Sequence, residues 1–192
     1  LSLCNKNFQK INNYSSNAKH NLLLDVCLAA KHEGNSINTH YPKYQAQYAS
    51  SGSPSQLCTV LARSFADIGD IIRGRDLYRG DKGKREKLES KLKSFFEQIY
   101  NSLDSSIRTK YDDGKKNFFQ LREDWWTANR HTVWKAITCN AWGNTYFRKT
   151  CSDERGGAQA NNYCRCGDDK PDKDMVNTDP PTYFDYVPQY LR

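Results

Sequence analysis

No stretch of this sequence is apolar for long enough to cross a bilayer: the richest run, Leu22 to Ala30, is broken by Asp25. No leader-type segment is visible at Leu1, and the chain stops abruptly at Tyr190-Leu191-Arg192, so it reads as a piece of something larger. Histidine is scarce. His20, His32 and His40 lie in polar surroundings and His131 lies between Arg130 and Thr132, none within a nucleophile–base motif, which argues against Cys–His or Ser–His catalysis. The later cysteines, Cys139, Cys151, Cys164 and Cys166, are separated by 11, 12 and 1 residues with no histidine beyond His131. Structural zinc ligands come in closer pairs, often with histidine, so disulfides are favoured over a metal site. Gly74, Gly80 and Gly83 are spaced for turns and lack the preceding strand that a phosphate-cradling loop requires. The paired carboxylates Asp112-Asp113 and Asp168-Asp169 read as loop charge, and Glu123-Asp124 as charge near a helix start. There is no internal repeat. These absences predict a chain that is not an enzyme, with no catalytic residues, no metal and no cofactor.

What is present belongs to a folded, oxidised domain. The 192 residues are 37% hydrophobic and 12% aromatic, enough to bury a core and too aromatic for a disordered chain. Seven cysteines (Cys4, Cys27, Cys58 and the four above) are many for a reducing compartment, and their odd number leaves one thiol free or paired outside the chain. Asn21 is placed to cap a helix from about Leu22 to His32, ended by Gly34, and residues 34–54 read as an exposed polar loop. After Pro54-Ser55, Leu57, Leu61, Phe65, Ile68 and Ile72 form one helical face that Gly74 ends. Leu88, Leu92, Phe95, Ile99 and Leu103 form a second stripe, followed by a loop over 104–117. A third helix is predicted from about Asn117 to Trp142. Leu121, Trp125, Ala128 and Thr132 form one of its stripes, and Trp126, Val133, Ile137 and Ala141 the other. Trp125, Trp134, Phe65 and Leu61 are predicted core residues. Residues 143–181 read as a cysteine-tied irregular loop. The expected fold is all-α: a disulfide-tied helical bundle with long irregular loops.

Charge is the remaining signal. Lysine and arginine number 29 against 22 acidic residues, a formal charge of +7, which favours an acidic partner. The basic residues concentrate between Arg73 and Lys93: Arg73, Arg75, Arg79, Lys82, Lys84, Arg85, Lys87, Lys91 and Lys93, against Asp76, Asp81, Glu86 and Glu89. Two readings stand side by side, a solvated helix face and an anion-binding patch for a sulfated or acidic glycan. Arg73 and Arg75 flank Gly74, so both are expected to point outward. Nucleic acid is not an expected partner, because the cysteine content points to an oxidising compartment.

Several long blocks carry a family resemblance. Leu61-Ala62-Arg63-Ser64-Phe65-Ala66-Asp67-Ile68-Gly69-Asp70-Ile71-Ile72-Arg73-Gly74 resembles the opening of alpha-class Duffy-binding-like domains in the erythrocyte membrane protein family of Plasmodium falciparum. Leu121-Arg122-Glu123-Asp124-Trp125-Trp126, Trp134-Lys135-Ala136-Ile137-Thr138-Cys139, Cys164-Arg165-Cys166 and the segment Tyr183 to Arg192 resemble its later blocks, and Asn21 to Gly34 its preceding helix. The resemblance implies a variant surface antigen on the extracellular face of the infected red-cell membrane, part of a larger membrane-anchored protein. It implies cytoadhesion and rosetting through host red-cell or endothelial surface receptors, sulfated glycans such as heparan sulfate, or blood-group sugars, with antibodies as further partners. Residues 1–20 would be the end of a first subdomain and 21–192 a helical-bundle second subdomain, a third being absent; the ligand site would then lie either here or in the missing parts, leaving this piece a structural and antigenic segment. The resemblance also implies that Cys58 pairs within Cys164/Cys166, that Cys139 and Cys151 engage each other or the remaining member, and that the partner of Cys4 lies upstream.

Overall fold

A computed structural model describes residues 18–48, 57–77, 82–141, 149–151, 158–159, 163–166 and 180–192; of the α1 side chains, those up to 41 are described. Among the described residues five α-helices dominate: α1 (Ala18–Tyr48), α2 (Leu57–Arg73), α3 (Lys82–Asn101), the short α4 (Ser105–Arg108) and α5 (Phe119–Ile137). An antiparallel pair of short strands, β1 (Lys149–Cys151) and β2 (Ala158–Gln159), lies within the segment expected to be wholly irregular. The all-α bundle expected from the periodicity is what forms, with this small ribbon as an addition.

The core follows the stripes. In α2, Leu57, Leu61, Phe65 and Ile72 are buried and Ile68 packs partly buried against them. Phe65 sits between Trp126 and Trp134, with ring centroids 5.1 and 5.2 Å away, so Trp125, Trp134, Phe65 and Leu61 are core residues as expected. Such aromatic contacts add to the apolar area removed from water. The α2 helix ends at Gly74, whose φ of +73° lets Arg75 N–H reach back to the Asp70 carbonyl at 2.8 Å.

Several expectations need correction. Gly34 does not end the first helix; α1 runs on to Tyr48. A Cβ at Gly34 would lie 2.0 Å from the Ile137 carbonyl oxygen, so glycine is there for close approach of α1 to the end of α5. Ala30, Gly34, Ile37 and Tyr41 continue one stripe at spacings of 4, 3 and 4, and the polar residues read as loop fasten the helix instead. Asn38 donates to the Asn140 carbonyl at 2.9 Å, and Asn140 donates to Asn35 Oδ1 at 2.6 Å. In α3 the buried set is Leu92, Phe96 and Ile99, while Leu88 is 45% exposed. In α5, which stops at Ile137, Ala128 is exposed and Trp134 and Ala136 are buried. The loop expected over 104–117 contains α4 and the single 3₁₀ turn Thr109–Tyr111. Its Asp113 carboxylate accepts the Asn117 and Phe118 N–H groups and holds the start of α5.

Cys58 and Cys164 form a disulfide across 106 residues, and Cys166 is disulfide-bonded too. Between them Arg165 donates to Thr138 Oγ1 and the Lys135 carbonyl, both at 2.9 Å, capping the end of α5, while Trp134 Nε1 donates to the Cys164 carbonyl. Cys139 was expected in a bridge and is a free, half-buried thiol. Both cysteines of the 164–166 pair are already bonded, which leaves neither for it. Cys4 and the Cys151 side chain lie outside the described residues.

Candidate functional site

Helix α3 carries most of the cationic segment and sorts its charges by side. At 3.6 residues per turn, Lys84, Lys87 and Lys91 fall within about 60° of one another. Glu86, Glu89 and Glu97 fall on the opposite side with Lys82 and Lys93. Those carboxylates are engaged there: Lys82–Glu86 at 3.9 Å, Arg122–Glu89 at 2.7 Å and Lys116–Glu97 at 2.9 Å. The stripe of Lys84, Lys87 and Lys91 is exposed along its length, with no α3 carboxylate beside it.

Two clefts flank the same helix, divided by the exposed Leu88. One, about 530 Å³, is of mixed character: Lys84, Arg85 and Lys93 stand around a floor of Ile71, Leu92 and the half-exposed Phe119. Arg85 is tethered there, donating to the Asp76 carbonyl at 3.1 Å. The other, about 520 Å³, lies between α1, α2 and α3, is almost wholly apolar, and has Lys91 on its rim.

The nine basic residues therefore do not form one patch. Arg73 is a correction: it was expected to point outward and is 1% exposed. Its guanidinium donates to the Gly69 carbonyl at 3.0 Å, to Asp70 Oδ1 at 2.9 Å and to the Asp185 carbonyl. Burial pushes its pKa below the ordinary arginine value, against the opposing pull of Glu123 and Asp185. A signal was available, because Leu57, Leu61, Phe65, Gly69 and Arg73 recur every four residues, so Arg73 extends the buried row. Arg75 is mostly exposed but paired with Glu123 at 2.7 Å. Lys82, Lys84, Arg85, Lys87 and Lys91 are exposed and Lys93 is half-buried; Arg79 lies outside the described residues.

Sequence reasoning passed over the arginines that hold the interior together. Arg122, fully buried, bridges Glu89 to the Ile71 and Ile72 carbonyls. Arg130 forks onto Asp185 with both nitrogens at 2.8 Å, while Trp126 Nε1 donates to the same carboxylate at 2.9 Å. Arg192 pairs with Asp70 and with Asp67, the latter at 2.7 Å. Arg122, Trp126, Arg130 and Trp134 recur every four residues, the pattern that marks these arginines as inward.

Among the described residues, no group of three or more His, Cys, Asp or Glu could hold a metal ion, and no helix is long and apolar enough to cross a membrane. His131 is half-buried; burial, then Lys135 and Arg130, hold its pKa below the usual histidine value. Its Nε2 lies 3.1 Å from the hydroxyl of its chain neighbour Thr132.

The described architecture is that of a cysteine-bridged helical module whose exposed chemistry is cationic. The chain belongs to the Duffy binding domain family, whose profile matches residues 1–192. Among solved structures it resembles the NTS-DBL1-alpha and CIDR-gamma double domain of the PfEMP1 protein from Plasmodium falciparum strain varO, at TM-score 0.69 and 40% identity, covering 94% of this chain and 24% of that one. The NTS-DBL1(alpha-1) domain from the same strain matches at TM-score 0.68 and 37% identity, covering 98% and 39%. A PfEMP1 DBLb domain bound to human ICAM-1 matches at TM-score 0.55 and 33% identity, covering 90% and 30%. The chain thus spans between about a quarter and two fifths of those solved chains. A search of curated proteins gives no match.

Proposed function

We propose that this chain is a non-catalytic adhesion module, part of a variant antigen displayed on the infected red cell, that binds host surface receptors and holds an acidic, sulfated glycan along α3. The observation that carries the glycan reading is the segregation of charge on that helix. Lys84, Lys87 and Lys91 line one side, while the α3 carboxylates are engaged on the other. A sulfated polymer is a row of fixed negative charges, and a row of flexible ammonium groups holds it without a deep pocket. The mixed cleft with Arg85 and Lys93 offers a second cationic border, where Arg85 can fork onto a sulfate. Receptor binding draws support from the relative solved with human ICAM-1. Cytoadhesion and rosetting belong to the same reading.

The test is heparin retention at two salt concentrations. Replacing Lys84, Lys87 and Lys91 with Ala is expected to abolish most retention, and the wild-type signal is expected to fall steeply as salt screens the contacts. Lys110 and Lys116 changed to Ala serve as the control: they stand on the segment between α3 and α5, 3.0 and 2.9 Å from Asp124 and Glu97. Loss in the control with retention in the helix variant would refute the α3 site. It would favour the second reading, a structural and antigenic segment whose ligand site lies elsewhere, which the short span relative to the solved relatives supports.

A further inference from the structure

The apolar groove between α1, α2 and α3 is the wrong chemistry for a sugar sulfate. Its walls are Leu22, Val26 and Ala29 from α1, Ile68 and Ile71 from α2, and Leu88 and Phe95 from α3. Among the described residues, polar side chains stand along the margins: Asp25 on the α1 bank, and Lys91, Ser94 and Gln98 on the α3 bank. We infer that this groove is a protein-docking site for an amphipathic helix with an acidic flank, the acidic side lying against Lys84, Lys87 and Lys91.

Three observations support that occupant. The first is electrostatic: the lysine stripe runs beside the α3 bank and Lys91 belongs to both, so a partner seated in the groove meets cations along one side only. The second is backbone chemistry. An extended segment would bring unpaired N–H and C=O groups into apolar walls that offer no strand edge, at a cost for each unpaired group. A helix satisfies its own backbone and presents only side chains. The third is length. The α3 bank runs from Leu88 to Gln98, ten residues or about 15 Å, which matches about three turns of a docked helix with apolar anchors at i, i+3 or i+4, and i+7. A volume of about 520 Å³ accommodates such anchors. The groove floor contains none of the basic residues, so this reading shares only the lysine border with the glycan reading.

The probe is a fluorescein-labelled 16-residue peptide with leucines at helical spacing and glutamates on one flank, titrated by anisotropy against the 192-residue chain. A second peptide carries lysines in place of the glutamates. Saturable binding of the acidic peptide is expected, at least about tenfold tighter than the basic one. Ala29 is exposed on the groove wall, so Ala29→Arg should block the groove without emptying the core. It is expected to weaken the acidic peptide at least about tenfold while leaving the melting temperature and heparin retention unchanged. Absence of saturable binding, equal binding of both peptides, or undiminished binding by an Ala29→Arg variant that melts as wild type would overturn the inference. If Ala29→Arg does not fold, Leu88→Glu at the exposed ridge replaces it, with the same two outcomes for the acidic peptide. A concentration-dependent dimer, seen by sedimentation and abolished by either variant, would overturn it in favour of a second copy of this chain. Heparin retention is read separately, so failure of the glycan reading and failure of this one are distinguishable.

Discussion

The interior junction where the C-terminal segment meets α2 and α5 is held by arginines, whereas the outer side of α3 is lined with lysines. Arg73, Arg122, Arg130 and Arg192 lie inside or nearly so, each with a carboxylate: Asp70, Glu89, Asp185 and Asp67. Arg73, Arg122 and Arg130 also stand over aromatic rings. Lys84, Lys87 and Lys91 are exposed. The division follows from the side chains. A guanidinium offers five donors in a planar fork, is less strongly hydrated than an ammonium and stacks on rings, so it can be buried with its partners; an ammonium keeps its water. The formal charge of +7 therefore does not measure the surface available to a ligand. Part of the cationic segment is internal architecture, and what remains for recognition is narrower and more ordered than the bare count implies.

The most severe way to break this division is to remove the acid at the centre of the buried network. Asp185 is 1% exposed and accepts from Trp126, Arg130 and, through its carbonyl, Arg73. Asp185→Ala leaves the Arg130 charge without its carboxylate and the Trp126 N–H without an acceptor, an expected loss of about 3–5 kcal/mol in denaturant unfolding. A loss below about 1 kcal/mol would mean that the network is not structural. A smaller loss is expected at the packing that surrounds it. A Cβ at Gly69 would lie 2.8 Å from the Trp126 ring, so Gly69→Ala should cost about 1–3 kcal/mol by overpacking, despite the better helix propensity of alanine.

His131 sharpens the comparison from the boundary between the two regions. Its pKa is lowered by burial and by Lys135 and Arg130, so the unfolded chain takes up this proton before the folded one does. The contribution is complete above the unfolded value of about 6.5 and is lost as pH falls towards the lower folded value. The melting temperature should therefore fall on going from about pH 7 to about pH 5.5, and His131→Gln should make that fall shallower. Identical slopes would show that the imidazole is not protected from protonation.

Most of the fold was legible because it rests on periodicity. The α2 stripe, the core tryptophans Trp125 and Trp126 and the end at Gly74 follow from spacing. The errors have separate causes. Arg73 looked external because it flanks Gly74 at the helix end, although it continues the Leu61–Phe65–Gly69 row. The 34–41 segment looked like loop because it is polar and contains a glycine, although Ala30, Gly34, Ile37 and Tyr41 keep the helical period and Gly34 fits the Ile137 backbone. Leu88 looked internal because it begins the spacing that Leu92 and Ile99 continue, yet it forms the exposed ridge between two clefts. What periodicity could not supply was the neighbour: which carboxylate meets which arginine depends on the approach of segments more than 100 residues apart, as with Arg192 and Asp67.

The smallest expected effect is the most discriminating. Lys84, Lys87 and Lys91 changed together to Ala should alter stability by no more than about 0.5 kcal/mol, although three charges are removed from one helix. Each side chain is exposed, so little packing is lost. Lysines three and four apart repel weakly, by a few tenths of a kcal/mol per pair, and alanine is the better helix former, so both contributions lean towards stabilisation. Against them stands the loss of the lysine stems, which cover some apolar surface beside the groove. The same number of charges taken from the interior would unfold the chain. Thermal melting at low and high salt is the measurement: an unchanged or slightly raised melting temperature at low salt, converging with wild type as salt rises, is expected. A loss above about 1 kcal/mol would place the lysines with the arginines as structural residues, and any ligand lost with them would then report unfolding and not recognition.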